Sequence, residues 1–112
     1  MNEPVLQPWE IWRARFNFSE GHGYTYRPVI VLATRADGSL VATVTSATNR
    51  LSLKHDYPIR EWDAAGLDKP SIARLDRIAE IPSGYLGTAG FIGRLAEADV
   101  AAIKTILSEI AR

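Results

Sequence analysis

The chain has 112 residues, 46% hydrophobic and 23% charged, proportions that exclude a disordered or fibrous protein, and a length that allows one core, so residues 1–112 are expected to form a single domain. Thirteen Lys and Arg balance thirteen Asp and Glu, which excludes a broad footprint for duplex DNA or anionic lipid, leaves room for a local basic site, and makes an oligomer easy to accept. Without cysteine there is no disulfide, thiolate nucleophile or zinc ribbon, and the longest apolar run, Val29 to Ala33, is far short of the roughly 20 residues that span a bilayer; a cytoplasmic protein is expected.

From Trp9 to Phe18 the even positions Trp12, Ala14, Phe16 and Phe18 alternate with Arg13, Arg15 and Asn17, the period of a half-buried strand. Ser19 to Tyr26, with Gly21 and Gly23 around His22, reads as a glycine-bearing loop. Pro28 to Ala33 is a β-branched run apolar on both faces, as in a central strand opened by proline. Asp37-Gly38 signals a tight hairpin into Leu40 to Ser46, so these two strands should be antiparallel neighbours. The open end of that hairpin would bring Arg27 beside Thr45 and Ser46.

Beyond it, Ala47 to Asp56 is polar and loop-like, Tyr57-Pro58-Ile59 suits a short edge strand, and Asp63 to Pro70 contains a turn at Gly66. Ser71 to Ile81 fits two elements: Ile72, Leu75, Ile78 and Ile81 recur at helical spacing, while the flanking prolines and isoleucines also suit a bent strand. Gly84, Gly87 and Gly90 then predict turns between short strands at Tyr85-Leu86 and Phe91-Ile92. The last element is a helix whose apolar face is Val100, Ile103, Ile106, Leu107 and Ile110, with Glu97 and Asp99 in its first turn and a weak N-cap at Ala96.

Taken in order, Trp9-Glu10-Ile11-Trp12, the glycine loop, Arg27-Pro28-Val29-Ile30-Val31-Leu32, Thr45-Ser46, Gly66-Leu67-Asp68-Lys69-Pro70-Ser71 and Ile92-Gly93-Arg94-Leu95 before a helix resemble the MazF/PemK family of toxins. The resemblance implies a mainly β (α+β) fold, a small Src-homology-3-like barrel of the MazF/PemK/CcdB kind with a C-terminal α-helix, and so favours bent strands for Ser71 to Ile81. It implies a homodimeric, metal-independent endoribonuclease without cofactors, cutting single-stranded RNA (mRNA) at short sequences and blocked by a cognate antitoxin. Carried over by position, the family's catalytic arginine falls on Arg27 and its threonine on Thr45, followed by Ser46. The chain departs from the family in having Ser19-Glu20-Gly21-His22 where Ser-Glu-Gln is usual, and Thr43 where proline is usual.

These residue types suit the reaction. Attack by a ribose 2′-hydroxyl needs alignment, proton removal and charge stabilisation on the phosphorane, and a guanidinium supplies the last with paired hydrogen bonds. A 2′,3′-cyclic phosphate and a 5′-hydroxyl are the expected ends. His22 is the candidate acid or base; Tyr24 and Tyr26 are candidate base-stacking residues, and Arg50 and Lys54 candidate phosphate contacts. Plainer readings stand beside these: a structural Arg27 paired to a carboxylate, β-propensity for Thr45 and Ser46, rim packing for the tyrosines, and a solvated loop position for His55. The alternative function is a non-enzymatic growth inhibitor whose barrel binds a protein target such as gyrase.

Overall fold

A computed structural model of the protein describes residues 6–17, 23–46, 54–82 and 86–111. Six strands, β1 (Glu10–Asn17), β2 (Tyr24–Thr34), β3 (Gly38–Ser46), β4 (Asp56–Pro58), β5 (Ser71–Pro82) and β6 (Leu86–Arg94), precede one helix, α1 (Glu97–Ile110). All pairings are antiparallel, and the sheet runs β4-β5-β3-β2-β1-β6. This is the mainly β, barrel-like fold with a C-terminal helix that the resemblance implies.

The alternation of side chains along a strand puts apolar groups on both faces of the central strands. Ile11, Ile30, Ala42 and Val44 face one cluster, which Ile103 and Leu107 of α1 and the residues Ile59, Ala65 and Leu67 complete. Trp12, Ala14, Val29, Val31 and Val41 face a second cluster with Ile81. Each fully buried isoleucine or leucine, such as Ile30 or Leu75, adds about 1.5–3 kcal/mol by leaving water, so Ile30→Ala alone would remove a sizeable part of the net stability.

The hairpin between β2 and β3 forms where Asp37-Gly38 predicts it, closed by the Arg35 N–H donating to the Gly38 carbonyl at 2.8 Å. Gly38 is not at positive φ, however; a Cβ there would lie 2.7 Å from the Ile81 carbonyl oxygen, so the glycine serves the close approach of β5. Segment 59–67 spans the two ends of the sheet. The Ile59 N–H donates to Ser71 of β5 at 3.0 Å, and at the other end Ala65 and Gly66, the latter at φ 96°, press against the backbone of Ile92 and Gly93 in β6.

Two expectations are corrected, and Ser71 to Ile81 takes the bent-strand form that the resemblance favours. Tyr24 to Tyr26 belong to β2, paired with Asn17, Phe16 and Arg15, because neighbouring strand backbone outweighs the local glycine signal; residues 18–22 lie outside the described residues. The three-residue period of Ser71 to Ile81 is a strand's: the register jumps from Thr43↔Arg74 to Ala42↔Ile78, and this wide bulge resets which face each isoleucine takes. The glycines near Leu86 do not divide two strands; β6 is continuous, and the register advances from Ala14↔Leu86 to Trp12↔Phe91, so the extra residues are absorbed as a bulge. In α1, Ile103 is buried and Val100, Ile106 and Leu107 half-buried, while Ile110 is exposed. Ala96 gives no side-chain cap, yet that helix end is tied down through Asp99, as described below.

Candidate nucleic-acid interface and active site

The site is built by strand register. Continuing the β2–β3 pairing from Val29↔Thr43 by two residues sets Arg27 opposite Thr45, and strand alternation points both toward the face that carries Val29 and Val31. Ser46 therefore projects to the opposite face, although it follows Thr45 directly. One residue row crosses the whole sheet on the Arg27 side: Asp56, Arg74, Thr43, Val29, Trp12 and Phe91 are successive partners. Its Trp12 and Phe91 rings meet edge to face at 5.3 Å, closing the apolar end, and its charged end opens into a groove.

That groove, of about 550 Å³, is lined by Arg27, Thr43, Val44, Thr45, Arg74, Arg77, Ile78 and Ala79. A smaller one of about 210 Å³ shares Arg27, Val44 and Thr45 with it and adds Ser46, Leu67, Asp68, Lys69 and Ser71. Arg27 and Thr45 thus occupy the ridge common to both. Among the described residues, the larger groove is lined by three arginines and no acidic residue, a local positive field in a chain of zero net charge.

The arginines differ in what holds them. Arg74 Nη1 is 3.1 Å from Oδ2 of Asp56, whose side chain is fully buried, so Arg74 is bound to the fold as the partner of a buried carboxylate. Arg27 is exposed and makes no hydrogen bond or ion pair among the described residues.

The smaller groove's wall is anchored from α1. Asp99 is fully buried and accepts hydrogen bonds from the Tyr57 hydroxyl at 2.6 Å and from the backbone N–H groups of Arg60 and Glu61, each at 2.9 Å. Burial, then the bond to Asp99, pushes the Tyr57 hydroxyl up to about 12 from an ordinary 10.0. The carboxylate fixes β4 and the start of the segment that leads to Leu67, Asp68 and Lys69. On the other side, Oδ2 of Asp76 accepts the His55 backbone N–H and Oδ1 contacts His55 Nδ1, both at 2.7 Å; His55's side chain first, and its backbone second, hold the Asp76 carboxyl below the usual range.

Of the residues singled out from sequence, Arg27, Thr45 and Ser46 come together at these grooves. His22 and Arg50 lie outside the described residues, as does the side chain of Tyr24, whose backbone belongs to β2. Tyr26 is 56% exposed, but alternation along β2 places it on the face opposite Arg27. Lys54 is exposed in the turn before β4 and lines neither groove. Arg74 and Arg77 escaped the sequence reading because their place depends on how β5 pairs, and Asp99 because its partners are 38 to 42 residues away. Among the described residues no group of three or more His, Asp or Glu is arranged to hold a metal ion, and no helix is long and apolar enough to cross a membrane.

A barrel-like antiparallel sheet followed by one C-terminal helix is a fold shared with a known toxin. Residues 7–111 match the PemK-like, MazF-like toxins of type II toxin-antitoxin systems, and the chain belongs to that family. Membership implies a cognate antitoxin as partner. Among solved structures, the Mycobacterium tuberculosis toxin MazF-mt6 superposes with a TM-score of 0.65 at 24% identity, over 89% of this chain and 93% of that one, a likeness of fold. No curated protein matches the sequence.

Proposed function

We propose that this toxin is a metal-independent endoribonuclease that cuts single-stranded mRNA at a short sequence, leaving a 2′,3′-cyclic phosphate and a 5′-hydroxyl. The observation that carries the reading is the Arg27 guanidinium beside Thr45 in a groove where, among the described residues, Arg27 has no carboxylate partner and the lining has no acidic residue. In this scheme Arg27 donates paired hydrogen bonds to the nonbridging oxygens as charge grows on the phosphorane, and the Thr45 hydroxyl holds the attacking 2′-oxygen or a nonbridging oxygen. The 2′-oxygen bonds to phosphorus, its proton passes to a base, the bond to the 5′-oxygen breaks, and that oxygen takes up a proton. His22 is the residue assigned to proton transfer. The enzyme works in the cytoplasm as a homodimer of single-domain chains and is silenced when its antitoxin covers the grooves.

The test is purified protein with mixed-sequence RNA in EDTA. Cleavage with cyclic-phosphate ends is expected, and Arg27→Ala should lower the rate by about 10²–10³-fold. No cutting by the native protein, or equal cutting by the variant, defeats the reading. Growth arrest that survives Arg27→Ala would instead point to inhibition by binding a protein target.

A further inference from the structure

We propose that Arg77 is a second phosphate-binding residue of the larger groove, gripping the RNA beside the scissile phosphate, and that His55 positions it through Asp76; the inference rests on the groove being an RNA site. The bulge in β5 carries the argument. Between Thr43↔Arg74 and Ala42↔Ile78 the residues Leu75, Asp76 and Arg77 have no partner on β3, so the ladder does not fix them. An ordinary bulge inserts one residue; a wider one needs other restraints to keep a single shape.

The restraints are distributed residue by residue. Leu75, 1% exposed, plugs into the larger core cluster. Asp76 is clasped sideways by two contacts to His55, one from its backbone N–H and one from its ring, each 2.7 Å. Arg77 is exposed, lines the groove with Arg27 and Thr45, and makes no hydrogen bond or ion pair among the described residues. With its two predecessors anchored, Arg77 is presented to the groove on a short, restrained segment.

The disposition of nearby carboxylates supports a phosphate as its ligand. Asp76, the acidic residue adjacent to Arg77 in sequence, is taken by His55, and Asp56 is taken by Arg74. Neither carboxylate lines the groove, and among the described residues Arg27 and Arg77 share that cavity without an ion-pair partner. Two cations so placed suit the repeating negative charge of a single strand.

The experiment measures binding of a mixed-sequence, single-stranded 2′-O-methyl RNA, which cannot undergo 2′-attack, by fluorescence anisotropy over a range of KCl. Each phosphate contact contributes about −0.7 to the slope of log affinity against log salt for a single strand. Arg77→Ala should make the slope shallower by about 0.7 and Arg77→Lys should retain it. For His55, alanine should raise KM for RNA cleavage severalfold with kcat unchanged, and His55→Asn, which keeps an N–H directed at Asp76, should restore KM. An Arg77→Ala slope equal to wild type, while Arg27→Ala lowers it, overturns the phosphate site and leaves the ribonuclease reading standing. A His55→Ala variant with native KM overturns the positioning role. If the wild-type protein neither binds nor cuts RNA, Arg27→Ala is equally silent, and the reading on which the inference rests falls with it.

Discussion

Replacing Asp99 by alanine removes one carboxylate and strands three donors at once: the Tyr57 hydroxyl and the backbone N–H groups of Arg60 and Glu61. A hydrogen bond to a charged group contributes about 1.5–3 kcal/mol, and a buried donor left unpaired costs about 1–3 kcal/mol. The three are not independent, since loosening residues 60–61 lets water reach all of them, so a loss of about 4 kcal/mol is expected rather than the full sum. That is a large share of a typical net stability of about 5–15 kcal/mol. Asp99→Asn keeps one acceptor oxygen but turns an N–H toward a backbone N–H, and should lose about 2–3 kcal/mol. Tyr57→Phe removes a single bond and should lose about 1.5–2 kcal/mol. Urea denaturation read by tryptophan fluorescence reports these as shifts in midpoint at constant slope. Because Tyr57 and Asp99 share one hydrogen bond, the double variant should fall short of the sum of the singles. If Asp99→Ala loses less than about 1 kcal/mol, the carboxylate is not the anchor and the wall of the smaller groove is held by something else.

Other outcomes follow from the same geometry. Tyr57 has a folded pKa raised from 10.0 to about 12, so its contribution is complete below pH 10 and is lost as pH rises toward 12; the wild-type advantage over Tyr57→Phe should vanish across that interval in denaturation midpoints. Thr45→Val should slow RNA cleavage about 10²-fold, whereas Ser46→Ala, on the opposite face, should stay near native; comparable losses would contradict the strand alternation at this site. Gly93→Ala puts a methyl against the Ala65 carbonyl, and an overpacking loss of about 1–3 kcal/mol should appear in thermal melts, with none if segment 59–67 can simply move aside.

What the sequence made legible was local or periodic. The β2–β3 hairpin follows from Asp37-Gly38 between β-branched runs, and from it the proximity of Arg27 and Thr45 follows by geometry alone. Alternation also separates Ser46 from Thr45, a distinction hidden when both are treated simply as the strand's end. Ser71 to Ile81 fits both elements in sequence because its bulge mimics a helical period, and the sequence divides β6 because the bulge there is rich in glycine. Asp99 was credited with favouring the positive end of α1, which any first-turn carboxylate does; its bonds to Tyr57, Arg60 and Glu61 leave no local pattern, since nothing near position 99 records what β4 brings to it. Arg74 and Arg77 were likewise ordinary charges until pairing placed them at a groove.

The two-sided burial of the central strands bears on how a toxin of this kind changes its target over time. Val29, Ile30 and Val31, or Ile11 and Trp12, sit in consecutive positions yet feed different clusters, so these stretches offer no side on which substitutions are cheap, and a slip of one residue would exchange the two cores. Freedom to vary is displaced to where the strands run out. Ser46 is the last residue of β3, and Leu75 to Arg77 in the bulge have already left the β3 ladder. The rim can therefore diverge among descendants while the packed interior is inherited almost unaltered.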